Sequence, residues 1–382
     1  MNRIVAARAV VRTIPIFTGG LAADNPFAAA DAAARSLNRA RLVELPGVAG
    51  VADLLGRSAS ELLSAAAVTG LVRAAADRLA LDPDAPALLR AFDGCFDDPA
   101  TRPAALAVAG EVGRRLGALL LMLWQGDAAN RAARPEWNAA HWAYWAAVQR
   151  VVAGGGLMAG RLGEAAVPAA GAFLAAAGCP VTIERSPYGD AIALVGLARH
   201  APPDADHMLL FDFGHTAVKN GLATYRDGAL VAVARRPSLP PPCEAEWYAH
   251  AGPQWARARW ARMAAAVVEA WAAAISPGKG ESVAIGLCLA SHLQDGHPVG
   301  RDRGCYTALG ELAPHLATFV RDDLMARLGP FRSLTLLHDG LAAAGTHAGE
   351  AHTVVLTLGT AIGAGYEPGA EGLRRLEADT LF

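Results

Sequence analysis

His207 to Gly221 reads HMLLFDFGHTAVKNG, and the fold turns on this stretch. Met208 to Phe211 form a short apolar run of the kind that lies inside a sheet, and the run leads into Asp212, Gly214, Thr216 and Lys219. A glycine, having no side chain, lets backbone N–H groups come close to anionic oxygens. Thr216 offers a hydroxyl donor, Lys219 a positive charge, and Asp212 a carboxylate able to hold a hydrated Mg²⁺. Those are the groups that a nucleotide phosphate requires. Beyond them, Lys219 to Tyr225 and Ala229 to Ala234 read as two strands joined at Arg226-Asp227-Gly228, whose Asp-Gly pair supplies the positive φ of a tight turn. A hairpin with an incidental Asp-x-Gly-x-Thr is the plain alternative, since motifs this short recur by chance.

The 382 residues, 53% of them hydrophobic, suffice for two cores. With 34 basic and 36 acidic residues the formal net charge is −2, so no overall field attracts nucleic acid or an anionic membrane, and a small molecule is the expected partner. Cys95, Cys179, Cys243, Cys288 and Cys305 include no Cys-x-x-Cys pair. Their odd number and scatter argue against a disulfide framework and a thiolate zinc site, and point to a reducing cytoplasm. The opening MNRIVAARAVVRTIPIF is broken by Arg3, Arg8 and Arg12 and lacks the apolar stretch of a secretory signal. Pro103 to Trp124, the most apolar later segment, carries Glu111, Arg114 and Arg115, so no membrane-spanning helix is expected. A homodimer is left open.

In chain order, Ile4 to Phe17 suggests one or two strands, and Asn25 to Leu42 a helix capped by Asp24 or Asn25. Ser58 or Ser60 opens a helical stretch reaching Leu81, and Ala104 to Trp124 is another helix. Trp137, Trp142, Tyr144 and Trp145 are expected to fill core. A strand, Arg150 to Ala153, runs into Gly154-Gly155-Gly156 ahead of a helix, Leu157 to Ala177, so a ligand could approach closely at the strand's carboxyl end. A strand at Val181 to Glu184 and a helix from Gly189 to Arg199 follow. Pro237 to Pro242 reads as a stiff connector. Trp247 to Ile275 is helical, and Ser282 to Leu289 is a buried strand opening into a polar loop that holds His292, Asp295, His297, Asp302 and Arg303. Tyr306 to Leu328 is helical, and the strand Ser333 to Leu337 ends at His338-Asp339-Gly340. Finally, TVVLTLGTAIGAGY, from Thr353 to Tyr366, is a strand leading to Gly359-Thr360 and then Gly363 and Gly365. His347, Glu350 and His352 lie in an expected crossing between domains and are not taken as a metal cluster.

Together these motifs resemble the ROK group of sugar kinases, within the superfamily of actin, sugar kinases and heat-shock chaperones. Asp212-x-Gly214-x-Thr216 with Lys219 is similar to the group's phosphate-1 hairpin, and Leu358 to Gly365 to its phosphate-2 motif. The segment around Gly154 to Gly156 resembles the part that borders adenosine. The resemblance implies an α/β fold of two ribonuclease-H-like domains closing on an ATP cleft. Because the adenosine-side segment here precedes Asp212, it also implies a circularly permuted order, with two unrelated joined domains as the alternative. Residues 1–201 would form the larger domain, 202–346 the smaller, and 347–382 would return to the larger.

Carried over by position, Asp212 holds Mg²⁺ through water, and Gly214, His215, Thr216 and Lys219 face the β and γ phosphates. Gly359, Thr360 and Gly363 clasp them from the other domain, and Asp339 is the general base. His338, His292 and Asp295 are expected on the acceptor side. The implied cofactors are ATP and Mg²⁺, and the implied activity is phosphorylation of a hydroxyl on a small metabolite, with a sugar inferred from the resemblance alone. His338 stands where the group has Asn, His215 where it has a small residue, and its cysteine zinc motif is missing. The alternative from another class is a non-catalytic nucleotide- or metabolite-responsive regulator. No helix-turn-helix with a basic face precedes the core, which speaks against a DNA-binding one.

Overall fold

Residues 14–19, 21, 25–28, 32–243, 250, 252–276, 280–299 and 305–382 are described by the structure, a computed structural model. Arg3, Arg8, Arg12, Asp24, Trp247, Asp302 and Arg303 lie outside the described residues, as does the expected strand before residue 14. The strands in chain order are β1 (Ile16–Phe17), β2 (Arg150–Gly154), β3 (Thr182–Arg185), β4 (His207–Phe213), β5 (Val218–Arg226), β6 (Ala229–Leu239) and β7 (Val283–Leu289). They continue with β8 (Leu293–Gln294), β9 (His297–Pro298), β10 (Leu334–His338), β11 (Thr353–Leu358), β12 (Ile362–Tyr366) and β13 (Arg375–Leu381).

The quoted stretch sits at the middle of a mixed seven-stranded sheet, in the order β1-β10-β7-β4-β5-β6-β13. β4, β5 and β6 form an antiparallel meander, while β4, β7, β10 and β1 run parallel. Side chains alternate across a strand, and β4 uses both faces. Leu209, Phe211 and Phe213 pack under the helices Pro253–Ala274 and Leu316–Leu328, against residues such as Trp260, Val267 and Leu324. Met208 and Leu210 pack on the other face against Leu194, Leu197 and Ala342. That is why the run is continuously apolar rather than alternating. The β5-β6 turn has Asp227 at φ 51° and Gly228 at φ 78°, the two positive values its Asp-Gly pair led us to expect.

The second sheet has four strands in the order β12-β11-β2-β3. β11 and β12 are an antiparallel hairpin, and β2 lies parallel to β11 with Thr353 opposite Arg150 and Thr357 opposite Gly154. Strands about two hundred residues apart in the chain are thus neighbours in one sheet. The helix Arg161–Ala176 between β2 and β3 packs on Arg102–Gln125, and the approach is close because a Cβ at Gly113 would stand 2.5 Å from the Ala166 carbonyl oxygen. Trp137, Trp142 and Trp145 are buried in this unit's core, as expected.

Several elements differ from expectation. Residues 347–382 do not stay together: β11 and β12 join the four-stranded sheet, but β13 pairs with β6 in the seven-stranded one. Among the described residues of 25–42, the helical parts are Ala32–Arg35 and the short turn Leu37–Arg39, because the Asn25 side chain accepts from the Phe27 N–H at 3.0 Å and bends the chain at once. Ser58 does cap a helix, with Glu61 completing the capping box, but that helix ends at Leu63, where Ser64 caps the next. Pro237 to Leu239 belong to β6, not to a connector; the Pro237 carbonyl accepts from the Asn220 side chain at 2.9 Å. Cys243 and Cys305 form a disulfide across 62 residues, which corrects the expectation of unpaired thiols. Sequence spacing hid it because the exit of β6 and the segment after β9 meet only in the folded chain. The cytoplasmic expectation loses that part of its support. Among the described residues, no helix is long and apolar enough to cross a membrane.

Candidate active site

A cavity of about 530 Å³ lies where the carboxyl ends of β2, β4, β7, β10 and β11 converge. Ligands of open α/β sheets collect at such strand ends. Of the residues singled out in the sequence, Asp212, Gly214, His215, Thr216 and Lys219 border it from the seven-stranded side, with His292, His338 and Asp339. Gly155, Gly156, Gly359, Thr360 and Gly363 border it from the four-stranded side.

Asp212 and Lys219 are cross-strand partners of β4 and β5, so their side chains leave the same face of the sheet. The Lys219 Nζ donates to Asp212 Oδ2 at 2.9 Å, and the Cys288 thiol, from the adjacent position on β7, lies 3.6 Å from Asp212 Oδ1. Burial pulls the Lys219 ammonium down, but the Asp212 carboxylate outweighs it and leaves the pKa raised. Burial, then the charges of Asp212 and Asp339, push the Cys288 thiol well above its ordinary value, so it stays protonated. The turn after β4 is tight: the Gly214 N–H donates to the Asp212 carbonyl at 3.1 Å, and the Gly214 carbonyl accepts from the Tyr306 hydroxyl at 2.7 Å. Burial lowers the His215 pKa, with Asp339 opposing, which keeps the ring neutral near pH 7.

The glycine triplet divides its work. Gly154 faces Ile192 and does not border the cavity. Gly155 needs φ 88°, and a Cβ on it would stand 2.6 Å from the Leu358 carbonyl oxygen, so it binds the ends of β2 and β11 together. Gly156 is different: its φ is not positive, and a Cβ would meet nothing within 4 Å. Gly359 resembles it, with only the Ala361 carbonyl at 4.0 Å. Neither backbone conformation nor internal packing demands glycine at 156 or 359. Both border the cavity, where the missing side chain leaves the backbone open to close approach.

Two strands along the sheet from β4, His338 closes β10 and Asp339 opens the helix Asp339–Ala344. The His338 Nε2 lies 2.9 Å from Asp339 Oδ1, and the Gly340 N–H donates to the same oxygen at 2.7 Å; the helix itself has no side-chain N-cap hydrogen bond. Burial alone would raise the Asp339 pKa, but the His338 charge and hydrogen bond, with the Gly340 N–H, leave it lowered. The His292 ring stacks on His338 with centroids 4.3 Å apart, and burial, then His338, drive its pKa to about 3. Asp295 stands apart: it is exposed, at φ 50°, and with Gly296 at φ 73° forms the turn between β8 and β9. It does not border the cavity.

The sequence reading missed Ser36, Asn38, Asp190, Ser291 and Thr307, all on the cavity wall. Asn38 brackets the backbone of Ile362, donating to its carbonyl at 2.9 Å and accepting from its N–H at 2.8 Å, which fixes the turn that carries Gly359 and Thr360. Arg35 reaches the other unit and donates to the Leu293 carbonyl at 3.1 Å. Asp190 makes a two-pronged ion pair with Arg235, at 3.0 and 3.1 Å, across the other side of the opening. Nothing in their spacing flags them; Asp190, ahead of an apolar helix, carried the nearest to a signal. Among the described residues, no group of three or more His, Cys, Asp or Glu side chains could hold a metal directly. No protein-family model matches the chain, and no curated protein matches it.

Proposed function

We infer that the protein is an ATP-dependent phosphotransferase acting on a hydroxyl of a small metabolite, with a sugar or sugar derivative as the first class to test. One observation carries the reading. Two glycines that neither φ nor packing requires, Gly156 and Gly359, border the same cavity as the Asp212–Lys219 pair and the helix-starting Asp339. The sheet orders support the finer fold reading. In β6-β5-β4-β7-β10 three antiparallel strands adjoin two parallel ones, as in a ribonuclease-H-like sheet, and β12-β11-β2-β3 repeats four of those five positions in permuted chain order.

The residues present fit Mg-ATP. Asp212 would hold Mg²⁺ through water; Gly214, Thr216 and Lys219 would meet the phosphates from one side, and Gly359, Thr360 and Gly363 from the other; Gly156 would lie beside adenosine. ATP supplies the transferable phosphoryl group, and Mg²⁺ neutralises its charge. The chain itself orients and deprotonates. Asp339, kept ionised at neutral pH, accepts the proton of the acceptor hydroxyl, while walls from both sheets limit water at the reacting oxygen.

ADP release with Mg-ATP, measured against hexoses, amino sugars and polyols beside a control without acceptor, tests the reading. Acceptor-dependent release is expected. The regulator reading has one observation in its favour: both Asp212 oxygens already have protein partners, Lys219 and Cys288. ATP binding without turnover on any acceptor would put it ahead.

A further inference from the structure

The sequence departs from the resembled group at His338, where Asn would contact the acceptor. The structure gives this ring a different occupation. We propose that His338 is a positioning residue that fixes the Asp339 carboxylate, holding Oδ1 so that Oδ2 is the atom left for the acceptor proton. The inference rests on the phosphotransfer reading for its consequence, though not for its geometry.

Three contacts immobilise the imidazole. His338 has extended backbone, φ −71° and ψ 142°, at the last residue of β10, and its ring returns to the carboxylate of the next residue, with Nε2 at 2.9 Å from Oδ1. One ring face stacks on His292. The ring edge occupies the space a side chain would take at Gly340, where a Cβ would stand 2.8 Å from His338 Cε1 and 2.6 Å from the Ala364 carbonyl oxygen. Glycine at 340 therefore makes room for this ring as well as for β12.

An aspartate at the start of a helix, held by one backbone N–H, keeps freedom about its side-chain torsions. Two donors converging on Oδ1 remove it, and among the described residues Oδ2 has no protein partner. The other titratable groups that bear on Asp339 are His292, His215 and the protonated Cys288 thiol. Since the His338 charge and then its hydrogen bond both lower the Asp339 pKa, removing the ring nitrogens should raise it.

His338→Phe keeps a ring to stack on His292 and removes the donor; His338→Gln restores an N–H. In the full-length chain, the titration of the Asp339 carboxyl carbon by ¹³C NMR should move to higher pH in His338→Phe and return toward wild type in His338→Gln. On the best acceptor, kcat of His338→Phe should fall about 10- to 100-fold, the cost of a misplaced reacting group. The acid limb of its pH profile should shift upward and the affinity for ATP should hold. A residue that only filled space would lower thermal stability without moving either titration. An Asp339 midpoint equal in wild type and His338→Phe overturns the proposal, whatever the turnover. A wild-type protein that turns over no acceptor would instead remove the phosphotransfer reading, and the carboxyl titration would still decide the role of His338.

Discussion

Neighbouring glycines at 155 and 156 should fail in opposite ways. Gly155→Ala forces a methyl group into φ 88° and to within 2.6 Å of the Leu358 carbonyl oxygen. The left-handed backbone costs about 1–2 kcal/mol and the overlap about 1–3 kcal/mol more, so a loss of about 2–5 kcal/mol is expected. Gly156→Ala meets neither obstacle. Its φ suits any residue and its Cβ finds open space, so the substitution should stabilise the chain by about 0.4–1 kcal/mol through the unfolded state. The methyl group would instead intrude where the nucleotide is proposed to lie. Loss of about one hydrogen-bond or contact equivalent, ~1.4 kcal/mol, corresponds to tenfold in affinity. Urea unfolding gives the two stabilities, and calorimetry with Mg-ATP gives the affinities. If Gly156→Ala bound Mg-ATP as tightly as wild type, the argument that this glycine faces the nucleotide would be wrong. If Gly155→Ala were as stable as wild type, the close approach of β2 and β11 would be wrong with it.

Asp339→Asn should lower kcat by about 10²–10⁴-fold while leaving ATP affinity unchanged; near-normal steady-state turnover would move the base elsewhere, and Asp295 is not a candidate because it borders no part of the cavity. Lys219→Met leaves Asp212, 5% exposed, without its cation, and should cost about 3 kcal/mol, the lower end for a broken buried pair because 24% of the Lys219 side chain remains exposed. The folded pKa of Lys219 is raised, so the stability it contributes is complete below its unfolded value of 10.5 and fades as pH climbs through the folded one; denaturation curves of wild type and variant should therefore converge in alkali. Reducing Cys243–Cys305 should lower stability by up to about 4 kcal/mol in the chain-entropy picture for a 62-residue separation, and an unchanged urea midpoint in dithiothreitol would show the pair to be energetically idle.

What could be read from the sequence was what local chemistry dictates. β4 announced itself because both its faces are buried, and the β5-β6 turn because Asp-Gly is suited to two positive φ values. The same signal at Asp295-Gly296 was passed over, since the surrounding His and Asp residues suggested a binding loop instead of a two-residue turn. Contacts between distant residues could not be read at all. Asn38 holds Ile362 across 324 positions, and no periodicity in either segment encodes that meeting. His338 is the instructive case. Position and residue type placed it beside the base, but only the ring geometry showed its Nε2 turned to Asp339.

The cavity owes its shape to the place where the chain changes sheets. The helix Ile192–Ala198 begins at the cavity wall with Ile192 and ends at Arg199; Asp339–Ala344 begins at Asp339 and ends at Gly345. The two helices touch backbone to backbone, because a Cβ on Gly196 would overlap the Ala342 carbonyl oxygen. At their far ends two buried arginines tie three crossings of the chain. Arg199 donates to the carbonyls of Gly345 and Arg374, and Arg374 donates to those of Ala201, Pro202 and Ala205 while its guanidinium lies 4.7 Å from the Tyr225 ring centre. Burial lowers the pKa of both, and carbonyl oxygens are the acceptors that compensate. The helices are about 10 Å long at 1.5 Å per residue, so this clamp stands one short helix away from the cavity. Arg35–Leu293 and Asp190–Arg235 bridge the two units at the cavity itself, so the sheets that carry Gly156 and Gly359 on one side and Asp212 and Asp339 on the other are tied at both ends of these short helices.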